Sequence, residues 1–343
     1  MTKQIALFFD GTWNEPGDTA EECSRQTNVW CFYESVVNAD KKKQLAHYIP
    51  GIGTGGSKIN SFVGGVTGAG ISANILDAYL WLSEIYNEGD LLFLFGFSRG
   101  AYTARSFSGV LRKCGIIKPE FRAFADRAKD LYQLRDKTPD SDEAIEFRSR
   151  YSVTVSDIEF VGVWDTVGAL GIPWGIPFLK EGRFDILDFH NTRLSSRVKN
   201  AYQALAIDEF RGDFKPTLWD MEGKFPIEHY EQRWFVGSHC DIGGGYPDCR
   251  LSNISLKWMQ EKAINAGLAI NPDYIVKSIK GDIMASPHNS RTIKYLVRDK
   301  LVRPLLSQVG ANEIIDESVE EKMAFDRNYK PQNVLALKQK KSK

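Results

Sequence analysis

The sequence predicts an α/β protein with a mostly parallel central sheet and helices on both faces, and three observations predict it. Short apolar segments alternate with longer ones whose apolar residues recur at helical spacing. Leu91 to Phe95 is apolar at every position, the pattern of a central strand covered on both sides. That run leads directly into Gly96-Phe97-Ser98-Arg99-Gly100, after which Ala101 and Ala104 let a helix lie close to the sheet.

Taken in order, Ile5 to Phe9 is a short strand ended by Asp10-Gly11-Thr12. Val29, Phe32, Tyr33, Val36 and Val37 share one face of a helix, with Asn28 as its expected N-cap. Leu45 to Ile49 is a strand ended by Pro50-Gly51, and a glycine-rich stretch, Gly51 to Gly70, feeds a helix from about Ile71 to Tyr86. The turn Glu88-Gly89-Asp90 precedes the central strand. Helices are expected at Ala101 to Leu111 and around Phe121 to Leu134, and a strand at Ile158 to Trp164. Weaker strands are expected at Pro216 to Trp219 and Trp234 to Val236, and a helix from Leu251 to Ala266 closes on Gly267. Residues 268–330 read as a helical or irregular extension of a core spanning about 4–267. Residues 331–343, with Lys338, Lys340, Lys341 and Lys343, read as a solvated basic tail.

A chain of 343 residues can form one large domain or two small ones. With 44 basic and 44 acidic residues it carries no net charge, so nothing in its balance favours nucleic acid or strong docking on an anionic membrane. Hydrophobic residues at 43% and charged residues at 26% exclude disorder over most of the length. The five cysteines, Cys23, Cys31, Cys114, Cys240 and Cys249, are odd in number and show no C-x-x-C spacing, which points to free thiols in a reducing compartment. The first strand meets Asp10 too early for a signal peptide, and no apolar run approaches about 18 residues. The expected location is cytoplasmic, although a route needing no signal peptide would leave the same sequence.

Gly96-Phe97-Ser98-Arg99-Gly100 fits the nucleophile elbow, in which a strained turn lifts a serine hydroxyl above the sheet and flanking glycines let backbones approach. A serine hydroxyl needs a base, and the base a carboxylate. In α/β-hydrolases the chain order is Ser, acid, His, which puts His47 out of order; His190, His229 and His288 lack a clear strand before them. His239 follows the apolar Trp234 to Val236 and opens the loop Asp241-Ile242-Gly243-Gly244-Gly245, where a strand-end base belongs. For the acid, Asp165 ends a strand at the same sheet edge, while Asp220 sits where the more usual strand would place it; Asp241 suits loop organisation better. The oxyanion hole requires two backbone N–H groups: Arg99 supplies one, and Gly11 or Thr12 the other. If the strand before them is the third of the standard sheet, the first two are absent. Asp10, Trp13, Trp174 and Phe178 are candidates for the substrate pocket, the last two within the apolar stretch Ala169 to Leu179. Asp10 as a metal ligand lacks a companion cluster, and no metal or cofactor is expected. Gly68 to Ala73 fits G-x-G-x-x-A, but Asn60 to Thr67 makes a poor strand before it. It remains the alternative as a nucleotide-cofactor loop. A non-catalytic interaction domain of the same fold is a third reading and predicts Ser98 and His239 beyond hydrogen-bond reach.

Several segments together resemble a known group, the family of uncharacterised α/β-hydrolase domains that includes the class-one type VI secretion phospholipase effectors. They are Phe8 to Asn14, Pro50 to Thr54, Gly68 to Tyr79, Phe93 to Arg105, Val163 to Gly168 and His239 to Tyr246, within roughly residues 5–260. The resemblance implies an α/β-hydrolase fold, a Ser98, Asp165, His239 triad, and thereby Asp165 ahead of Asp220. It implies a serine ester hydrolase acting on an ester or lipid, phospholipid included; with no net charge to drive docking, membrane contact is expected to be transient and through apolar residues near Trp174. The secreted members are larger, so phospholipase activity follows less directly than the fold. A triad spread this far along the chain must be assembled by one sheet, which favours a single domain.

Overall fold

The computed structural model describes residues 2–12, 26–37, 43–52, 68–134, 136–153, 157–168, 194–219, 229–276, 282–292, 299–308 and 310–341. Its centre is a sheet of seven strands: β1 Gln4–Phe9, β2 Gln44–Ile49, β3 Leu91–Phe97, β6 Ile158–Trp164, β7 Val198–Ala206, β8 Tyr230–Phe235 and β9 Glu313–Ile315. The two-residue strands β4 Ile116–Ile117 and β5 Ser152–Val153 form a separate antiparallel pair. The sheet runs β2-β1-β3-β6-β7-β8-β9, and every neighbouring pair is parallel. This is the arrangement of an α/β-hydrolase-like fold. Strand β2 is the sheet's edge among the described residues, so β1 and β2 stand where a shortened hydrolase sheet would begin.

Alternation explains why the central strands read as uninterrupted apolar runs. In β1, Ile5, Leu7 and Phe9 enter one core and Ala6 and Phe8 the other; in β3, Leu92 and Leu94 face the first, Phe93, Phe95 and Phe97 the second. Each face carries its own helices, so neither needs polar residues. The first core is covered by α2 (Gly68–Ile85) and α3 (Arg99–Cys114), through Ile75, Tyr79 and Leu82 and through Ala101, Ala104 and Phe107. The second is covered by α1 (Asn28–Val37) and α7 (Arg250–Asn265). Between them in chain order lie α4 (Ala125–Gln133), α5 (Asp142–Tyr151) and the short α6 (His239–Gly243).

The structure departs from several sequence expectations. The cap of α1 is Thr27, whose Oγ1 accepts the Trp30 N–H, while Asn28 is buried and donates to Ile242 O and Ser252 O. The helix expected around Phe121 to Leu134 is a 3₁₀ turn, Pro119–Phe124, followed by α4. Pro216 to Trp219 is no strand: beyond an isolated bridge between Val167 and Pro216, it serves as an extended cover whose Thr217 N–H reaches Thr166 O. The intervening strand is instead β7. Finally, the C-terminal extension adds β9 to the sheet, followed by α8 (Glu317–Phe325), and the expected tail is the helix α9 (Gln332–Lys341). Val334 and Asn333 bury one side of α9, which a solvated tail would not do; Lys338 stays on the outer side, paired with Glu320.

Candidate active site

Strand β3 ends at Phe97 and α3 begins at Arg99, leaving Ser98 alone to turn the chain. It does so at φ 58° and ψ −120°, a conformation costly for a residue with a Cβ. Two glycines make the turn possible. A Cβ on Gly100 would lie 2.1 Å from Phe9 O and 2.4 Å from Asp10 O, and one on Gly96 would lie 2.5 Å from Gly100 O. Helix α3 can press against the end of β1 only because both are absent, and this brings the Asp10 to Thr12 loop beside the elbow. The Ser98 N–H donates to Trp164 O, tying the elbow to β6.

Asp165 follows β6, is fully buried and adopts φ 39°. Its N–H donates to Ala204 O, and its Oδ1 accepts the Ala206 N–H, so it is anchored across the end of β7. His239 opens α6 after β8. The turn is fixed by Asp241, whose Oδ2 accepts the Ser238 N–H and hydroxyl and the His288 N–H, while its Oδ1 lies 2.6 Å from His288 Nδ1. Asp241 thus organises the loop, as its spacing implies. The imidazole is packed between the rings of Phe97 and Phe214.

The structure brings Ser98, His239 and Asp165 into one line. His239 Nε2 lies 2.8 Å from Ser98 Oγ, and Nδ1 lies 2.6 Å from Asp165 Oδ2. A non-catalytic version of the fold predicts these groups apart; they are within hydrogen-bond reach. Burial favours neutral His239 and lowers its pKa below the ordinary 6.5, the Asp165 carboxylate opposing it. Burial also acts to raise the pKa of Asp165, but the Arg303 charge and the His239 hydrogen bond outweigh it and hold the carboxyl well below its usual range. A neutral imidazole beside an ionised carboxylate is the pairing that can take a proton from a hydroxyl.

The loop after β1 is less open than expected. The Gly11 N–H donates to Asp10 Oδ1 at 2.6 Å, which removes Gly11 from the oxyanion candidates and leaves Arg99 and Thr12. Asp10 Oδ2 accepts hydrogen bonds from Thr27 Oγ1 and Tyr48 Oη, so this buried carboxylate braces the loop. Among the described residues no group of three or more His, Cys, Asp or Glu is placed to hold a metal ion. Trp13, Trp174, Phe178 and Asp220 lie outside the described residues. In the Gly68 to Ala73 motif, Gly68 already belongs to α2; of Glu88 and Asp90, the acids at about the spacing a ribose-binding residue would have, Asp90 accepts the Lys3 and Asn87 N–H groups at the amino end of β3, the edge opposite Ser98. Arg303, which no motif marked, carries the strongest unforeseen contact: its guanidinium meets both oxygens of Asp165.

Residues 3–262 match the model of the T6SS phospholipase effector Tle1-like catalytic domain. The chain belongs to this family. The uncharacterized protein YEL023C of Saccharomyces cerevisiae is 27% identical over 234 residues, 62% of this chain and 32% of that protein. Among solved structures, an uncharacterized protein from Pseudomonas aeruginosa matches with TM-score 0.47 and 18% identity, covering 82% of this chain and 48% of the other. The Tle1 effector bound to the VgrG spike from the type VI secretion system matches with TM-score 0.43 and 21% identity, covering 71% and 51%. The chain spans about a third of the curated relative and about half of each of the two structures. The matching family is described as one of phospholipase effector catalytic domains. Among the described residues no helix is long and apolar enough to cross a membrane.

Proposed function

We propose that this Tle1-like chain is a serine ester hydrolase that cleaves lipid acyl esters, phospholipids among them, through an acyl-enzyme. The observation that carries the reading is the unbroken chain of short contacts from Ser98 Oγ through His239 to Asp165. In the proposed mechanism the Ser98 oxygen attacks the acyl carbonyl as its proton passes to His239 Nε2. Asp165 orients the imidazole and stabilises the imidazolium. The carbonyl oxygen, now charged, is held by the backbone N–H groups of Arg99 and Thr12. Collapse breaks the ester bond and His239 returns the proton to the leaving alcohol oxygen. Water, deprotonated by the same histidine, then attacks the acyl-Ser98 ester and releases the fatty acid and the free serine. A net charge of zero gives no general attraction to an anionic bilayer, so engagement of lipid rests on apolar contact and is transient.

A fluorophosphonate probe tests the nucleophile, with short and long acyl esters and a phospholipid as the substrate panel. Labelling at Ser98 and loss of hydrolysis in Ser98→Ala are expected. An unlabelled folded protein, or full esterase activity in Ser98→Ala, sinks the reading.

A further inference from the structure

We propose that Arg303 is a positioning residue of this site, its guanidinium fork fixing the Asp165 carboxylate in the orientation that meets His239. The inference rests on the proposed serine mechanism and extends it to a residue beyond 262, the end of the family match. Arg303 is fully buried. Its Nη1 donates to Asp165 Oδ1 at 2.6 Å and to Ala206 O at 3.0 Å; its Nη2 donates to Asp165 Oδ2 at 3.0 Å and to Phe214 O at 2.6 Å. A carboxylate has about four lone-pair sites. Those of Asp165 are filled by the two arginine donors, the Ala206 N–H and His239 Nδ1. No rotation of the carboxylate keeps all four, so its plane is set by the two-pronged contact.

The arginine is itself held. Asn333 of α9 donates to Arg303 O and to Ile207 O, and Phe214, whose carbonyl receives Nη2, packs its ring against His239. The segment that reads from sequence as an extension therefore reaches the reacting serine through two hydrogen-bonded partners. The charge matters as well as the shape. Asp165, Glu209 and Arg211 act on the charge of His239, Arg303 meets it through Asp165, and Cys240, its thiol pushed up to about 12 by burial, is neutral. Glu209 and Arg211 pair with one another, so Arg303 is the cation that balances Asp165. It offsets part of the pull of Asp165 on an imidazolium proton and keeps His239 free as a base into mildly acidic solution.

The test uses the full chain, with esterase kinetics and fluorophosphonate labelling followed from about pH 5 to 9. Wild-type labelling that disappears in Ser98→Ala establishes the serine mechanism first; its absence defeats that reading regardless of Arg303. Arg303→Gln is expected to lower kcat on the order of 10- to 100-fold with KM little changed. It should also move the acidic limb of kcat/KM up by about one pH unit. Arg303→Lys, which keeps the charge but loses the fork, should hold the limb and still lose about tenfold in kcat. In an Asp165→Asn background the Arg303→Gln change should cost less than about threefold, because its effect runs through the carboxylate. Wild-type kcat and limb in Arg303→Gln would overturn the proposal, as would an equal loss in the Asp165→Asn background. Should Arg303→Gln fail to fold, Arg303→Lys decides: unchanged kcat and labelling rate in it overturn the proposal.

Discussion

Replacing Asp10 by asparagine removes a buried charge while keeping a side chain of the same shape. Asp10 is 3% exposed and accepts hydrogen bonds from the Gly11 N–H, Thr27 Oγ1 and Tyr48 Oη. Burial outweighs these three donors and raises its pKa from 3.8 to about 6. Because the folded-state value lies above the unfolded one, the folded protein holds the extra proton. That stabilisation is complete below the unfolded value and is lost as pH rises through about 6. The gap corresponds to about 3 kcal/mol, of which about 2 kcal/mol falls between about pH 4.5 and pH 7.5. Asparagine does not titrate, so comparison with it cancels the many other carboxylates that change over this range. The unfolding free energy of wild type minus that of Asp10→Asn should therefore fall by about 2 kcal/mol across the interval. Urea unfolding followed by tryptophan fluorescence at several pH values, with the slope m unchanged between proteins, measures it. A difference that stays flat would mean that the three donors, and not burial, control Asp10, and the reasoning would be wrong.

Four further outcomes can be checked together. Gly100→Ala forces a Cβ to within 2.1 Å of Phe9 O, a backbone atom that cannot yield. It should cost more than about 3 kcal/mol and abolish probe labelling. Gly89→Ala, at φ +91° but in open space, should cost only about 1 kcal/mol and leave labelling intact, as thermal melts would show. Asp165→Asn should fold, since asparagine can keep the Ala206 contact, yet lose on the order of a thousandfold or more in kcat; a loss under tenfold would remove Asp165 from the mechanism. Gln232→Leu strands the Trp219 N–H and Ala311 O, both bonded to Gln232 in the wild type. A urea midpoint lower by the equivalent of about 2–4 kcal/mol is expected.

The elbow and its strands were legible because the requirements are local. A run such as Leu91 to Phe97 must alternate between two cores, and the glycines flanking Ser98 answer to atoms only a few residues away or on the adjacent strand. Strand β7 was not legible, because Val198 to Ala206 carries Lys199, Asn200 and Gln203 where a buried strand should be apolar. Gln203 is nonetheless fully buried: it pairs with Gln232 on the neighbouring strand, bonds Thr166, and donates to Thr217 O. A polar residue satisfied across strands breaks the pattern without breaking the strand. The Pro216 to Trp219 segment misled for the opposite reason, being apolar because it covers β7 and not because it pairs. The cap of α1 was misplaced by one residue, since Thr27 and Asn28 are both good caps and only the packing of Asn28 against α7 distinguishes them. Arg303 had no signal at all: nothing near it in sequence marks a partner 138 residues away.

The strand that carries the acid explains why such a partner is required. In sheet order, β3 leading to Ser98 is followed by β6 with Asp165, then β7, then β8 leading to His239. An acid leaving β6 must cross the end of β7 to meet the histidine, and there it is out of contact with water. An isolated carboxylate there would take up a proton, and a neutral Asp165 could not stabilise the imidazolium that the proposed mechanism forms. The donors nearest in the sheet, the Ala206 N–H and His239 Nδ1, fill about half of its lone-pair sites and bring no permanent charge. Arg303 supplies the rest together with a cation. It follows that a chain with its acid on β6 but without the segment bearing Arg303 must place another buried cation against Asp165 if it is to keep the same chemistry.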